Sequence, residues 1–162
     1  IFSLLGVKTT FDEPHTGNPT TVRLTRHLDS VAQLSYDFLN CPDLAQTVVA
    51  TCCGLGVTFH FTGLASLRIK ETDRLVALQK ELRKLGFIIQ IINNEELLWD
   101  GSVCDPSMEP IDTYEDHRMA MALAPLAVKF PNLRINNPEV VSKSYPDFWK
   151  DLRKASFTIN KV

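Results

Sequence analysis

Between Asp43 and Trp99 the hydrophobic pattern runs through a full cycle of elements. Residues 43–55 place apolar side chains on one helical face, with Gly54 as the expected stop. Val57 to Leu64 alternates as a strand does. Leu75, Leu78, Leu82 and Leu85 then recur at helical spacing, and Gly86 is expected to close that helix. Phe87 to Ile92 and Glu96 to Trp99 predict a hairpin that turns at Asn93 and Asn94.

The same order begins again downstream. Residues 117–128 read as a helix with a kink at Pro125, residues 133–137 as a strand, and Phe148 to Ala155 as a second helix. Asp43 is followed by Lys70 after 27 residues and Asp116 by Lys143 after 27, so the two pairs share an offset of 73. Near the start, Leu4, Leu5 and Gly6 match Lys84, Leu85 and Gly86, the end of a helix entering a hairpin. Residues 7–11 and 21–25 would be the strands of that hairpin, joined by a loop containing Pro14, Gly17, Asn18 and Pro19. The expectation is an α/β chain of repeated units, each a four-stranded sheet with two helices: two near-complete copies and the tail of a third. Their bounds fall at about 1–35 (partial), 43–100 and 113–162, within one domain spanning 1–162. On this reading the chain opens inside an earlier copy and is a fragment of a longer protein.

Composition narrows the classes. Hydrophobic content of 44% and charged content of 22% are those of a globular domain. A formal net charge of −2 offers no basic stripe for nucleic acid. No apolar run reaches the ~20 residues that a membrane-spanning helix needs. Cys41, Cys52, Cys53 and Cys104 lack zinc-ligand spacing, and the four histidines are scattered, so no metal is expected. Small buried thiols suit a reducing cytoplasm.

The densest chemistry lies at the junction between strand and helix, where Arg68, Lys70, Glu71, Asp73 and Arg74 crowd into seven residues. If the repeats stack, the equivalent junctions converge. Arg74, Arg118 and Lys143 then form an anion clamp, since guanidinium forks suit carboxylates and lysine suits phosphate. Asp43, Lys70 and Glu71 supply acid and base groups beside it. Each residue also has a structural alternative. Asp43 suits an N-cap, Glu71 and Asp73 a helix dipole, and Lys70 with Arg74 a solvated face. Asp116 and Arg118 suit a local ion pair, and His117 a partly buried polar position. The repeat relation favours a site.

Residues 68–75 closely resemble a signature of the 5-enolpyruvylshikimate-3-phosphate synthase family. Residues 113–122 are similar to the family's downstream block, and residues 143–148 to its C-terminal one. The resemblance runs from about Asp43 to the end of the chain. It implies an enolpyruvyl transferase-like fold of two domains, each of three α/β units, with the active site in the cleft between them. This chain would be most of the C-terminal domain, and its partner the missing N-terminal domain. The implied reaction moves an enolpyruvyl group from phosphoenolpyruvate to the 5-hydroxyl of shikimate 3-phosphate and releases phosphate. It belongs to aromatic amino-acid biosynthesis and needs no cofactor.

The implied roles follow residue by residue. Asp43 would accept the hydroxyl proton, with Lys70 beside it, and Glu71 would protonate the phosphoenolpyruvate methylene. Arg74 and Arg118 would grip the phosphoenolpyruvate carboxylate, with Lys143 near its phosphate and Asp116 and His117 adjoining. Ser66 stands where the family commonly has asparagine in contact with the shikimate moiety, and serine cannot fork to two partners as an amide does. Two rivals share the fold: a transferase acting on a nucleotide sugar, and a non-catalytic interaction module. Residues 70–74 followed by residues 116–118 favour the shikimate enzyme.

Overall fold

The computed structural model describes residues 1–12 and 21–161. Its chain is mixed α/β, with two sheets whose order follows from hydrophobic alternation and turn chemistry. Strand β1 (Leu5–Phe11) pairs antiparallel with β2 (Val22–Ser30), with Phe11 opposite Val22. The expected strands of this hairpin are therefore present, while Pro14, Gly17, Asn18 and Pro19 lie outside the described residues. Gly6 adopts a φ of 85°, as Gly86 adopts 96° at the end of the later helix. A side chain at Gly86 would meet the Cys104 carbonyl at 2.8 Å, so only glycine turns the chain there.

The second sheet has four strands in the order β3, β4, β6, β5. Strand β3 (Gln33–Asp37) runs parallel to β4 (Thr58–Thr62), and antiparallel pairings add β6 (Glu96–Trp99) and then β5 (Gln90–Ile92). The three-residue loop between β5 and β6 places Asn93 and Asn94 at φ of 49° and 62°, left-handed backbone that asparagine tolerates, and the Glu95 N–H closes the turn on the Ile92 carbonyl at 3.1 Å. Strand β3 has no counterpart in the pattern reading. It joins the sheet of the unit expected at 43–100, although its residues straddle the expected end of the preceding unit at about 35.

Helix α1 (Ala45–Leu55) crosses from β3 to β4, and α2 (Arg74–Lys84) follows β4. Their apolar faces cover one side of the sheet. Val48, Val49, Cys52 and Cys53 from α1 and Leu75, Leu78 and Leu82 from α2 are buried with Leu34, Phe59, Phe61, Leu97 and Trp99 from the strands. Phe59 and Phe61 point to the same face because they are two apart, and their rings stack at 4.5 Å. Burial pushes the Cys52 thiol up to about 12, so it packs as a small neutral side chain.

Two expected features are corrected. Helix α1 ends at Gly56, whose φ is 73°, and not at Gly54. Gly54 stays helical and permits close approach: an added Cβ there would lie 3.2 Å from Leu126. Residues 133–137 do not form a strand. Among the described residues they make one parallel bridge, Ile111 to Ile135, between left-handed Asn132 and Asn137. Strand β4 lies between two partners, whereas this segment pairs only beside Ile111, and a single bridge does not propagate a ladder.

The remaining regular elements are helical. Helix α3 (His117–Leu123) gives way at Ala124 to a 3₁₀ turn through Val128 that contains Pro125, in place of the expected single kinked helix. A 3₁₀ segment at Pro138–Lys143 leads to α4 (Phe148–Lys154). Helix α3 packs against α1, and this contact brings the two helix starts together. No helix among the described residues is long and apolar enough to cross a membrane.

Candidate functional site

The site is assembled where α1, α2 and α3 begin. Asp73 caps α2 by accepting a hydrogen bond from the Val76 N–H at 3.2 Å, and this fixes Arg74 as the helix's first residue. Asp116 caps α3 in the same manner, accepting from the Arg118 N–H at 2.8 Å. Asp43 caps nothing. It sits in a 3₁₀ turn (Pro42–Leu44) directly before α1, and its carboxylate is free to face the other two helix starts.

Arg74 is the hub. Its side chain is 2% exposed and its guanidinium is enclosed by three carboxylates. Nε donates to Asp116 Oδ2 at 2.7 Å, Nη1 to Asp43 Oδ1 at 2.8 Å and Nη2 to Glu71 Oε2 at 2.7 Å, with a longer bond from Nη2 to Asp116 Oδ1 at 3.4 Å. A buried cation must be matched in this way, because desolvation otherwise costs more than a single pairing returns. The expected solvated face of Lys70 and Arg74 is therefore absent.

The three carboxylates differ in exposure. The Asp116 side chain is fully buried, while those of Asp43 and Glu71 are 42% and 48% exposed. Asp43 also faces two further cations. Its Oδ2 accepts from Arg118 Nη2 at 3.2 Å, and Lys70 Nζ stands 3.8 Å from its Oδ1. Arg118 Nη1 adds a bond to the Asp43 carbonyl at 3.2 Å. One carboxylate thus bridges two guanidiniums with one oxygen on each, the geometry in which a pair of arginines holds an anion. Arg118 pairs with Asp43, and its expected local ion pair with Asp116 is replaced by a backbone bond.

Asp43, Lys70, Glu71, Arg74, Asp116 and Arg118 accordingly lie in one cluster although 75 residues separate Asp43 from Arg118. Lys143 ends its 3₁₀ segment beside them, exposed, with Nζ bonded to the Glu115 carbonyl at 3.1 Å. Its link to the cluster runs through the backbone next to Asp116. Ser66 is exposed on the 3₁₀ turn Ala65–Ile69, and half-buried His117 opens α3. No group of three or more His, Cys, Asp or Glu side chains suited to a metal ion occurs among the described residues.

Two further sets of connections were not expected from the sequence. Arg68 ties the charged junction to the hairpin turn, donating to Asn94 Oδ1 at 3.0 Å while pairing with Asp73 at 2.9 Å. Glu81, 1% exposed, anchors a second polar network two turns along α2 from Arg74. It accepts from the Tyr114 hydroxyl at 2.6 Å, the Asp112 N–H at 2.9 Å and Lys84 Nζ at 2.6 Å. The signal was available: positions 74 and 81 are seven apart, so they share one helix face with the buried leucines.

The EPSP synthase (3-phosphoshikimate 1-carboxyvinyltransferase) family model matches residues 15–152 of this chain. Among curated proteins, a 3-phosphoshikimate 1-carboxyvinyltransferase of Bacteroides fragilis (strain YCH46) is 51% identical over 160 residues, covering 98% of this chain and 38% of that protein. Proteins of the same name from Nitrosomonas eutropha and Vibrio atlanticus are 38% and 34% identical, over 72% and 76% of this chain. The chain therefore spans 38% of the length of its Bacteroides relative.

Proposed function

We propose that this chain, which belongs to the EPSP synthase family, supplies the phosphoenolpyruvate-holding half of a two-domain enolpyruvyl transferase. The acceptor is the 5-hydroxyl of shikimate 3-phosphate, held largely by the domain across the cleft. The observation that carries this reading is the carboxylate of Asp43 shared between Arg74 and Arg118. Two guanidiniums that hold the Asp43 carboxylate can hold another when Asp43 swings away.

In this reading Asp43 has two successive tasks. It neutralises the arginine pair until phosphoenolpyruvate arrives, and the substrate carboxylate then takes its place. The displaced Asp43, with Lys70 beside it, faces the acceptor hydroxyl and takes its proton as oxygen attacks C2 of phosphoenolpyruvate. Glu71, exposed at the rim, gives a proton to the methylene carbon at C3. The resulting tetrahedral adduct loses phosphate, and return of a C3 proton to Glu71 restores the double bond. Lys143, exposed beside Asp116, is assigned to the phosphate group, and Ser66 and His117 line the approach. Positive charge preorganised around the reacting anion supplies the largest catalytic contribution.

We also read residues 43–100 and 113–162 as two copies of one unit. Three features support this: residues just before each unit pair in parallel with it, β3 with β4 and Ile111 with Ile135; Asp43 and Asp116 precede packed helices; and a lysine stands at or directly after the end of a 3₁₀ segment in both. The cytoplasm is the compartment that fits free buried thiols and a biosynthetic role.

Phosphate release tests the reading. The full-length protein, given phosphoenolpyruvate and shikimate 3-phosphate, is expected to release phosphate, and Glu71→Gln is expected to lower turnover with little change in substrate KM. The 162-residue chain alone should be inactive, because without the opposing domain its charges work in high dielectric. Release by the isolated chain at the full-length rate would overturn the two-domain reading, and no release by the full-length protein would overturn the activity.

A further inference from the structure

The turn at residues 113–116 carries three connections at once. Asp116 reaches Arg74, the Glu115 carbonyl holds Lys143, and the Tyr114 hydroxyl reaches Glu81. Two consecutive non-glycine residues, Tyr114 and Glu115, occupy left-handed backbone at φ of 54° and 55°. Side chains other than glycine resist that conformation, so the surroundings must hold it. One local bond helps, from the Asp116 N–H to the Thr113 carbonyl at 2.8 Å. Beside the bond from Arg74 to Asp116, a second external anchor is Glu81. This carboxylate is buried on α2, the same helix that starts with Arg74.

Both ends of the turn therefore dock onto one rigid rod. Arg74 takes Asp116, and two helical turns later Glu81 takes Tyr114 and the Asp112 N–H. We infer that Tyr114 and Glu81 are a positioning pair that fixes the left-handed turn and so sets where Asp116 and Lys143 stand relative to Arg74. Neither residue touches the anion-binding face. They act through the turn, and the inference rests on the proposed function only for its kinetic consequence. Lys84 differs: it braces Glu81 and Asp112 from the solvent side and makes no bond to the turn at 113–116.

The chemistry supports a specific hydrogen bond over simple packing. Burial, and then the hydrogen bond to Glu81, hold the Tyr114 hydroxyl well above the ordinary phenol range, so it remains a donor across the working pH range. The ring of a phenylalanine would occupy the same space and leave Glu81 without that donor.

Tyr114→Phe and Lys84→Met in the full-length protein separate positioning from stability. Lys84→Met is expected to lower thermal stability by at least as much as Tyr114→Phe and to leave the Arg74 cluster unchanged, since Lys84 bonds only Glu81, Asp112 and the Pro110 carbonyl among the described residues. Tyr114→Phe is expected to raise the KM for phosphoenolpyruvate about tenfold with kcat changed less than threefold, the lower end of what a hydrogen bond to a charged group carries. Hydrogen exchange at the Arg74 Nε–H, followed by NMR, reads the bond to Asp116 without any assay of turnover. It should quicken about tenfold in Tyr114→Phe and stay at the wild-type rate in Lys84→Met. Equal exchange rates in wild type and Tyr114→Phe, or quickening that tracks stability alike in both variants, would overturn the inference. If exchange responds as expected while wild type releases no phosphate, the positioning pair stands and the proposed function falls.

Discussion

Arg74 and Glu81 stand seven residues apart on one face of α2, each about 1% exposed, yet they are partnered in different ways. Arg74 is surrounded by carboxylates, of which two, Asp43 and Glu71, remain nearly half exposed. Glu81 is satisfied by a hydroxyl, a backbone N–H and the ammonium of Lys84, whose side chain is 17% exposed. The first arrangement has partners that reach solvent, as the proposed exchange for another anion requires. The second has partners built into the fold. A buried charge is a candidate for a site when some of its counter-charges are free to leave, and on that ground we propose the start of α2 as the site and its later turns as scaffold.

Removing the central charge should show the largest difference. Arg74→Met leaves Asp116 fully buried without its cation and is expected to cost about 3–5 kcal/mol in denaturant unfolding. Lys84→Met leaves Glu81 with two neutral donors and is expected to cost about 1.5–3 kcal/mol. A loss at Lys84 equal to that at Arg74 would show that the two regions do not differ as described.

Smaller effects appear at the extremes of pH, all from the scaffold network. The Asn136 amide, and then the Lys84 ammonium, hold the Asp112 carboxyl below its usual range. Its stabilisation is present above the unfolded value of about 3.9 and is lost as pH falls through the folded one. The neutral Tyr114 phenol is favoured in the fold, so its contribution is complete below about pH 10 and is lost as pH rises through the raised value. Burial pulls the Lys84 ammonium down, but hydrogen bonds from it to Glu81 and Asp112 more than offset this, and its loss also falls on the alkaline side. Melting temperature against pH should therefore flatten on the acid limb in Asp112→Asn and on the alkaline limb in Tyr114→Phe. Unchanged limbs would remove these groups from the linkage.

The sequence pattern was most legible where one residue type has one physical use. Leucines at helical spacing, Gly86 after them and the asparagine pair of the hairpin each led to the element that forms. Strand β3 was not legible, because Gln33–Asp37 is short and polar on one face and acquires its identity from the parallel partner β4. The stop of α1 was misplaced because Gly54 and Gly56 look alike in sequence, whereas only Gly56 needs left-handed backbone. Residues 133–137 have strand-like composition but lack a second neighbour. Among the site residues, the junction at 68–74 and the block at 116–118 were recognisable from charge and repeat spacing. That Arg74 is buried was not, since its i,i+4 relation to Lys70 equally describes a wet surface. The link from Lys143 to the cluster through the Glu115 carbonyl depends on a backbone turn that no side-chain pattern encodes.

In the proposed function Asp43 holds the place of a substrate carboxylate between Arg74 and Arg118. Asp43→Asn keeps the shape and removes the competing charge. Calorimetric titration of the full-length protein with phosphoenolpyruvate, wild type against Asp43→Asn, measures the competition directly. Binding to the variant is expected to be about tenfold tighter, within the worth of a charge-assisted hydrogen bond, together with a large loss of turnover. Unchanged or weaker binding of phosphoenolpyruvate to Asp43→Asn would contradict it.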